Sequence, residues 1–206
     1  MRHSRSIFEK KNSHLLPAIL LLIWGAANVA VGQDQDMFSD QNVITPTADS
    51  PRDVFAADLD GDGDQDMLSA SVGDDKIAWY ENDGSGVFGP QQVITTEADS
   101  ATSVFAADLD GDGDSDVLSA SGFDKKGKIA WYENDGSGGF SDQKVITFAV
   151  KEAASVFAAD LDGDGDKDVL SASGFTDFTS RSSEGKIAWY ENDGSGGFGD
   201  QQVITT

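Results

Sequence analysis

Apolar residues come in short runs along this chain, separated by clusters of Asp, Gly, Asn and Ser, and the same series of runs comes round three times. Val54-Phe55-Ala56-Ala57, Val104-Phe105-Ala106-Ala107 and Val156-Phe157-Ala158-Ala159 each lead into an acidic segment. Met67 to Ser71, Val117 to Ser121 and Val169 to Ser173 follow it. Then comes Lys-Ile-Ala-Trp-Tyr-Glu-Asn-Asp-Gly-Ser-Gly, at Lys76 to Gly86, Lys128 to Gly138 and Lys186 to Gly196. Each unit closes on an aromatic and a Val-Ile-Thr run, at Phe88 to Thr95, Phe140 to Thr147 and Phe198 to Thr205. Runs rich in Val, Ile, Phe, Trp and Tyr, bounded by turn formers, predict four short β-strands per unit. Alternation in Ile77-Ala78-Trp79-Tyr80 puts Ile77 and Trp79 on one face and Ala78 and Tyr80 on the other. Both faces are apolar, so both need covering. The pattern predicts an all-β chain of propeller blades, each of four antiparallel strands, with about three blades present.

The spacings locate the variable part. Asp58 to Asp108 is 50 residues and Asp108 to Asp160 is 52. Connectors between units hold at eight residues: Pro46 to Asp53, Thr96 to Ser103 and Phe148 to Ser155. The second-to-third-strand loop grows from four residues (Val72 to Asp75) to six (Gly122 to Gly127) to twelve (Gly174 to Gly185). Units therefore fall at about 46–95, 96–147 and 148–206 within a repeat segment 33–206. Phe38 to Thr45 repeats the closing strand, and the last residues stop where another connector would start. Three blades do not close a ring that takes 4–8. The expectation is an incomplete or open propeller, either a fragment of a longer chain or one that self-associates through its open blade faces.

Charge narrows the classes. The chain has 14 basic and 37 acidic residues, a formal net charge of -23, which argues against nucleic acid and against anionic lipid. There is no cysteine, and the only histidines are His3 and His14. Arg2, Arg5, Lys10 and Lys11 precede a mostly apolar stretch from Leu15 to Ala30, and Ala30-Val31-Gly32 offers small residues before a cleavage point. Residues 1–32 read as an export signal, which places the mature protein outside the cytoplasm, secreted or at the cell surface. The stretch would hold the protein in a membrane only if left uncleaved.

The acidic segments carry the candidate chemistry. Asp58-Leu59-Asp60-Gly61-Asp62-Gly63-Asp64-Gln65-Asp66 returns as Asp108 to Asp116 and Asp160 to Asp168, changed only at its eighth residue. Five carboxylates in nine residues repel one another unless a cation lies among them. Positions one, three, five and nine offer Asp58, Asp60, Asp62 and Asp66, and Gly63 permits a sharp turn at position six. Asp64 would contribute its backbone carbonyl while its side chain faces water. Oxygen donors in this number suit calcium, about one ion per loop; magnesium keeps more water, and zinc wants His or Cys. The first half of the loop matches an EF-hand. The second does not, since Ser69, Ser119 and Ser171 stand where that motif has Glu.

The acidic nonapeptide, the following Val-Leu-Ser-Ala-Ser, and Trp-Tyr-Glu-Asn-x-Gly-x-Gly-x-Phe together resemble the FG-GAP/VCBS repeat family, the blades of integrin-α-type β-propellers. The resemblance covers Phe38 to Thr206. It implies calcium in the hairpin loop between the first two strands of each blade. Its ligands would be Asp58, Asp60, Asp62 and Asp66; Asp108, Asp110, Asp112 and Asp116; and Asp160, Asp162, Asp164 and Asp168. Asp114 and Asp166 stand where Asp64 does. Propellers of the family usually have seven blades, and this chain departs from that number.

Other residues have plainer expectations. Trp79, Trp131 and Trp189 are expected to pack between blades rather than to stack on sugars. Phe175, Phe178 and Arg181 in the longest loop form a candidate contact patch. No Walker loop or nucleophile elbow is present, so no catalytic residue and no enzyme activity are expected. The function expected is an exported calcium-binding propeller module with a structural role or with an extracellular protein or glycan as partner. The alternatives are a lectin or the non-catalytic propeller part of a secreted polysaccharide-degrading enzyme.

Overall fold

A computed structural model describes residues 42–122, 127–177 and 182–205. The expected export signal at 1–32 lies outside the described residues. Among the described residues, twelve strands fall within the compact unit Val43–Thr206. β1 (Pro51–Ala57), β2 (Asp66–Ser71), β3 (Lys76–Tyr80) and β4 (Gln92–Thr95) form one antiparallel sheet in sequence order. β5 (Ser103–Ala107), β6 (Asp116–Ser121), β7 (Gly127–Tyr132) and β8 (Lys144–Val150) form a second. β9 (Ala153–Ala159), β10 (Asp168–Asp177), β11 (Ser182–Tyr190) and β12 (Gln202–Thr205) form a third. These are three propeller blades, as the runs predict, and the described residues contain no helix.

Alternation along the third strand of each blade builds the core. Tyr132 belongs to the cluster between the first and second blades, with Leu59, Leu68, Ile77 and Trp79 from the first and Val104, Ala106 and Val117 from the second. Its neighbour Trp131 points the other way, into the cluster with Leu109, Leu118, Ile129, Val156, Ala158, Val169 and Tyr190. One period-two strand thus serves two cores. Apolar burial at roughly 25 cal/mol per Å² makes these two junctions the main source of cohesion. Beside them, Phe55, Phe105 and Phe157 form a column, with ring centroids 4.6 and 4.5 Å apart. Trp79 and Trp131 are buried at the junctions, as expected, and Trp189 is half-buried.

The ladders run further than the apolar runs suggest. β8 continues to Val150 and β9 begins at Ala153, so the expected connector from Phe148 to Ser155 is reduced to Lys151 and Glu152. β10 and β11 stay paired through Gly174↔Gly185 to Asp177↔Ser182, so much of the expected twelve-residue loop is hairpin. Backbone groups pair whatever the side chain, so the apolar pattern does not report the ends of a ladder. Phe175 lies on β10, and Phe178 and Arg181 lie outside the described residues. The expected closing strand before the first blade is not formed at Asn42 to Thr45, and Phe38 lies outside the described residues.

Candidate metal centre

Each acidic segment is the turn between the first two strands of its blade. The loop is built by its own carboxylates. Asp58 accepts from the Gly61 N–H through Oδ1 at 2.8 Å and from the Gly63 N–H through Oδ2 at 3.0 Å. Asp60 Oδ1 accepts from Asp62 N at 3.2 Å, and Asp62 Oδ1 accepts from Asp64 N at 2.8 Å. The second and third loops repeat the set through Asp108, Asp110 and Asp112 and through Asp160, Asp162 and Asp164. Gly63, Gly113 and Gly165 have φ of 95°, 100° and 107°, a conformation that a side chain makes costly. Repetition of one hydrogen-bond pattern in three loops follows from repetition of one nonapeptide.

The ninth residue does a different job. Asp66, Asp116 and Asp168 are fully buried. In each, Oδ2 accepts from the backbone N–H of the loop's leucine, at 2.9, 2.9 and 3.0 Å from Leu59, Leu109 and Leu161. Oδ1 accepts from the backbone N–H of Asn82, Asn134 and Asn192, at 2.8, 2.8 and 2.9 Å. One carboxylate thereby joins the acidic loop to the end of the third strand. Burial pushes the Asp116 carboxyl up to about 7, against the pull of its two N–H donors. Asp60, Asp110 and Asp162 are also raised, first by loss of hydration, with neighbouring carboxylates adding to it.

The carboxylates converge in groups of three. Oxygens of Asp58, Asp60 and Asp62 lie within 4.8 Å of one another, as do those of Asp108, Asp110 and Asp116, and those of Asp160, Asp162 and Asp164. Ligands at 2.3–2.6 Å from one calcium ion are at most about 5 Å apart, so these sets fit that ion. The donors are all oxygen, which suits a hard cation and excludes a thiolate or imidazole site. The ion pairs Lys76–Asp74 and Lys144–Glu133 lie outside the loops.

Asp64, Asp114 and Asp166 stand apart from these groups. Their carboxylates close on Gly84, Gly136 and Gly194 so tightly that a Cβ there would overlap them. Asp64 is half-buried, with its carboxylate against Gly84. In the second and third blades the equivalent turn, Asn-Asp-Gly-Ser-Gly, also reaches the loop of the preceding blade. The Asn134 side-chain amide donates to the Leu59 carbonyl at 2.9 Å and to the Ser115 carbonyl at 2.9 Å. Asn192 does the same to Leu109 at 2.7 Å and Lys167 at 2.9 Å. These asparagines tie the acidic loops to the turns after the third strands, and the reading of the acidic segments passes over them. Their signal is recurrence in register at Asn82, Asn134 and Asn192.

Beside the junction of the first two blades lies a polar cleft whose lining includes Thr95, Glu97, Tyr132, Asp142 and Gln143. Gln143 Nε2 donates to the Tyr132 hydroxyl at 2.6 Å, so that wall is held in place.

Comparison with known proteins agrees with this architecture. A family model described as FG-GAP-like repeat matches residues 58–119 and again 108–171, each match beginning at an acidic loop. No curated protein matches the chain. Among solved structures, a lectin of Agrocybe aegerita, described for specific recognition of non-reducing terminal N-acetylglucosamine, is similar at 26% identity and a TM-score of 0.50. The match covers 74% of this chain and 37% of the lectin. The biofilm matrix protein Bap1 of V. cholerae matches at 22% identity and a TM-score of 0.35, over 71% of this chain and 27% of that one. The chain thus spans well under half the length of either.

Proposed function

Because the chain belongs to the FG-GAP-like repeat family, we propose that it is an exported calcium-binding propeller module that presents a surface to an extracellular partner and catalyses no reaction. The observation that carries the calcium reading is the convergence of three carboxylates within 4.8 Å in each of three loops. Asp58, Asp60 and Asp62 would hold one ion, Asp108, Asp110 and Asp116 a second, and Asp160, Asp162 and Asp164 a third. The ion supplies positive charge that offsets the mutual repulsion of the loop. Asp66, Asp116 and Asp168 then carry that order to the end of the third strand through the Asn82, Asn134 and Asn192 N–H groups. Export is supported by the basic, apolar and small-residue order of residues 1–32. The absence of His and Cys from residues 33–206 supports a non-catalytic role.

Isothermal titration of chelator-stripped protein with calcium tests this reading. Saturation near one ion per acidic loop, with a melting temperature that falls on chelation, is expected. A melt indifferent to chelator together with no heat of binding would overturn it.

Glycan is the partner class with specific support. It rests on the likeness to the Agrocybe aegerita lectin and on the hydrogen-bonding lining of the cleft at Thr95, Glu97 and Gln143. A glycan array probed with the protein, and with Glu97→Ala as control, tests it. Binding that the substitution abolishes is expected. An array without a hit directs the search to a protein partner.

A further inference from the structure

Both junctions within the chain are made of the same residues, and the two outer faces of the array carry those residues uncovered. At a junction, one blade contributes Leu59, Ile77 and Trp79, or Leu109, Ile129 and Trp131, all buried. The following blade contributes Val104, Ala106 and Val117, or Val156, Ala158 and Val169, also buried. In the third blade the counterparts of the first set emerge: Leu161 is 44% and Ile187 is 43% exposed, and Trp189 is half-buried. In the first blade the counterparts of the second set emerge: Val54 is 58% exposed, Ala56 is exposed and Met67 is half-buried.

The finer junction contacts lapse at the ends in the same way. The Trp79 and Trp131 rings lie so close to Gly138 and Gly196 of the next blade that a Cβ there would overlap them. Around the equivalent Cβ direction of Gly86 there is no atom of the described residues within 4 Å. Gly61 and Gly111 meet the Gly136 and Gly194 carbonyls, at 3.0 and 3.1 Å from a built Cβ, while Gly163 meets none of the described residues within 4 Å. Asn134 and Asn192 reach the carbonyls of the preceding blade's Leu59 and Leu109, whereas the Asn82 amide donates to Gln65 of its own blade. The phenylalanine column ends on Phe157, 52% exposed.

We infer that the chain assembles head to tail, the Leu161–Ile187–Trp189 face of one copy seating on the Val54–Ala56–Met67 face of a second. The Trp189 ring of the first copy lies over Gly86 of the second. Asn82 of the second copy donates to the Leu161 carbonyl of the first, and the second copy's Phe55 extends the column past Phe157. The occupant is a second copy because a blade of this sequence offers the glycine slot, the amide donor and the apolar strand face together. The internal junctions fit those parts to each other twice. The contact is heterologous, using different patches on the two copies, so it closes or propagates according to its rotation. Two copies of three blades supply six, within the 4–8 that closed propellers use.

Sedimentation velocity of the full chain in millimolar calcium, from micromolar to hundred-micromolar protein, tests this. Ile187→Glu blocks one face and Val54→Glu the other, each at a position already exposed. The unaltered chain is expected to sediment as an assembly, each variant alone as a monomer, and an equimolar mixture of the two as a dimer, since each keeps one working face. A monomeric unaltered chain at the highest concentration overturns the inference. So does assembly that persists in either variant, as contact through residues 1–32 would produce, or a mixture that stays monomeric. Should circular dichroism show either variant unfolded, Leu161→Lys and Ala56→Lys form the equivalent pair.

Discussion

The side-chain amide of Asn134 donates to the carbonyl of Leu59 at 2.9 Å, across 75 residues of chain. Leu59 sits inside the first acidic loop, and Asn134 lies two residues past the third strand of the second blade. The same asparagine gives its backbone N–H to Asp116, which is buried beneath the second acidic loop. Two loops in different blades therefore meet at one residue. Asn134→Ala leaves the buried Asp116 contact but removes both side-chain bonds. A loss of about 1–3 kcal/mol is expected, because a buried carbonyl loses its donor. Urea unfolding of the variant measures it, and an unchanged midpoint would remove the latch from the account.

Asp116→Asn probes the carboxylate under the loop. An amide has one acceptor oxygen where the carboxylate offers two, so either the Leu109 or the Asn134 N–H then faces an NH2 group. Destabilisation of about 1–3 kcal/mol is expected without any metal present. Chemical denaturation in chelator isolates this effect from ion binding.

The tryptophans allow a test within one sequence. Trp79 and Trp131 are 3% exposed at the blade junctions, while Trp189 is only half-buried. Trp79→Ala is expected to cost about 3–5 kcal/mol through lost burial and a cavity. Trp189→Ala, at protein concentrations low enough to keep copies apart, should cost less than half of that. Equal losses would contradict the difference in packing.

Calcium stoichiometry separates the roles of the loop residues. Asp60→Ala removes a converging carboxylate and is expected to lose one ion by titration. Asp64→Asn is expected to keep the count, because that carboxylate closes on Gly84 and lies outside the converging group. Each ion that binds only the folded state adds about 2.7 kcal/mol at a hundredfold excess over Kd. Retention of all ions by Asp60→Ala would contradict the assignment of the site.

Acid acts on a different set of aspartates. The Ser137 hydroxyl and the Ser137 and Gly139 N–H groups hold the Asp135 carboxyl below its ordinary value, and Asp83 and Asp193 are lowered likewise by their serines. A depressed folded value means that ionised Asp135 favours the folded state. Its contribution is fully present above about pH 4 and is lost as pH falls through the folded value. Asp135→Asn is expected to flatten the fall of the unfolding midpoint below about pH 4 in chelator. A variant that tracks the parent over that range would show that the turn contributes nothing.

Much of the molecule is legible in the order of residues. A period of two in Trp131-Tyr132 separates two cores, because a strand turns successive side chains to opposite faces wherever it lies. Recurrence of the acidic nonapeptide marks three equivalent loops, because identical local sequences with the same glycines close the same turns. Both are short-range relations, and a linear string preserves them. The ends of the ladders were not legible, since Gly174↔Gly185 and Thr176↔Ser183 pair through backbone groups that every residue carries.

The rest was decided only when strands met within a blade and blades met each other. That Asp66, Asp116 and Asp168 lie buried on two N–H donors while Asp64 closes on Gly84 depends on where the third strand ends beside the loop. That Asn134 serves Leu59, and that Leu161 is exposed where Leu59 and Leu109 are buried, depends on which blade stands next. Equal residues acquire unequal surroundings because burial and hydrogen-bond partners belong to neighbours in space, which the repeat specifies alike for every blade and the array supplies only to a face with another blade against it.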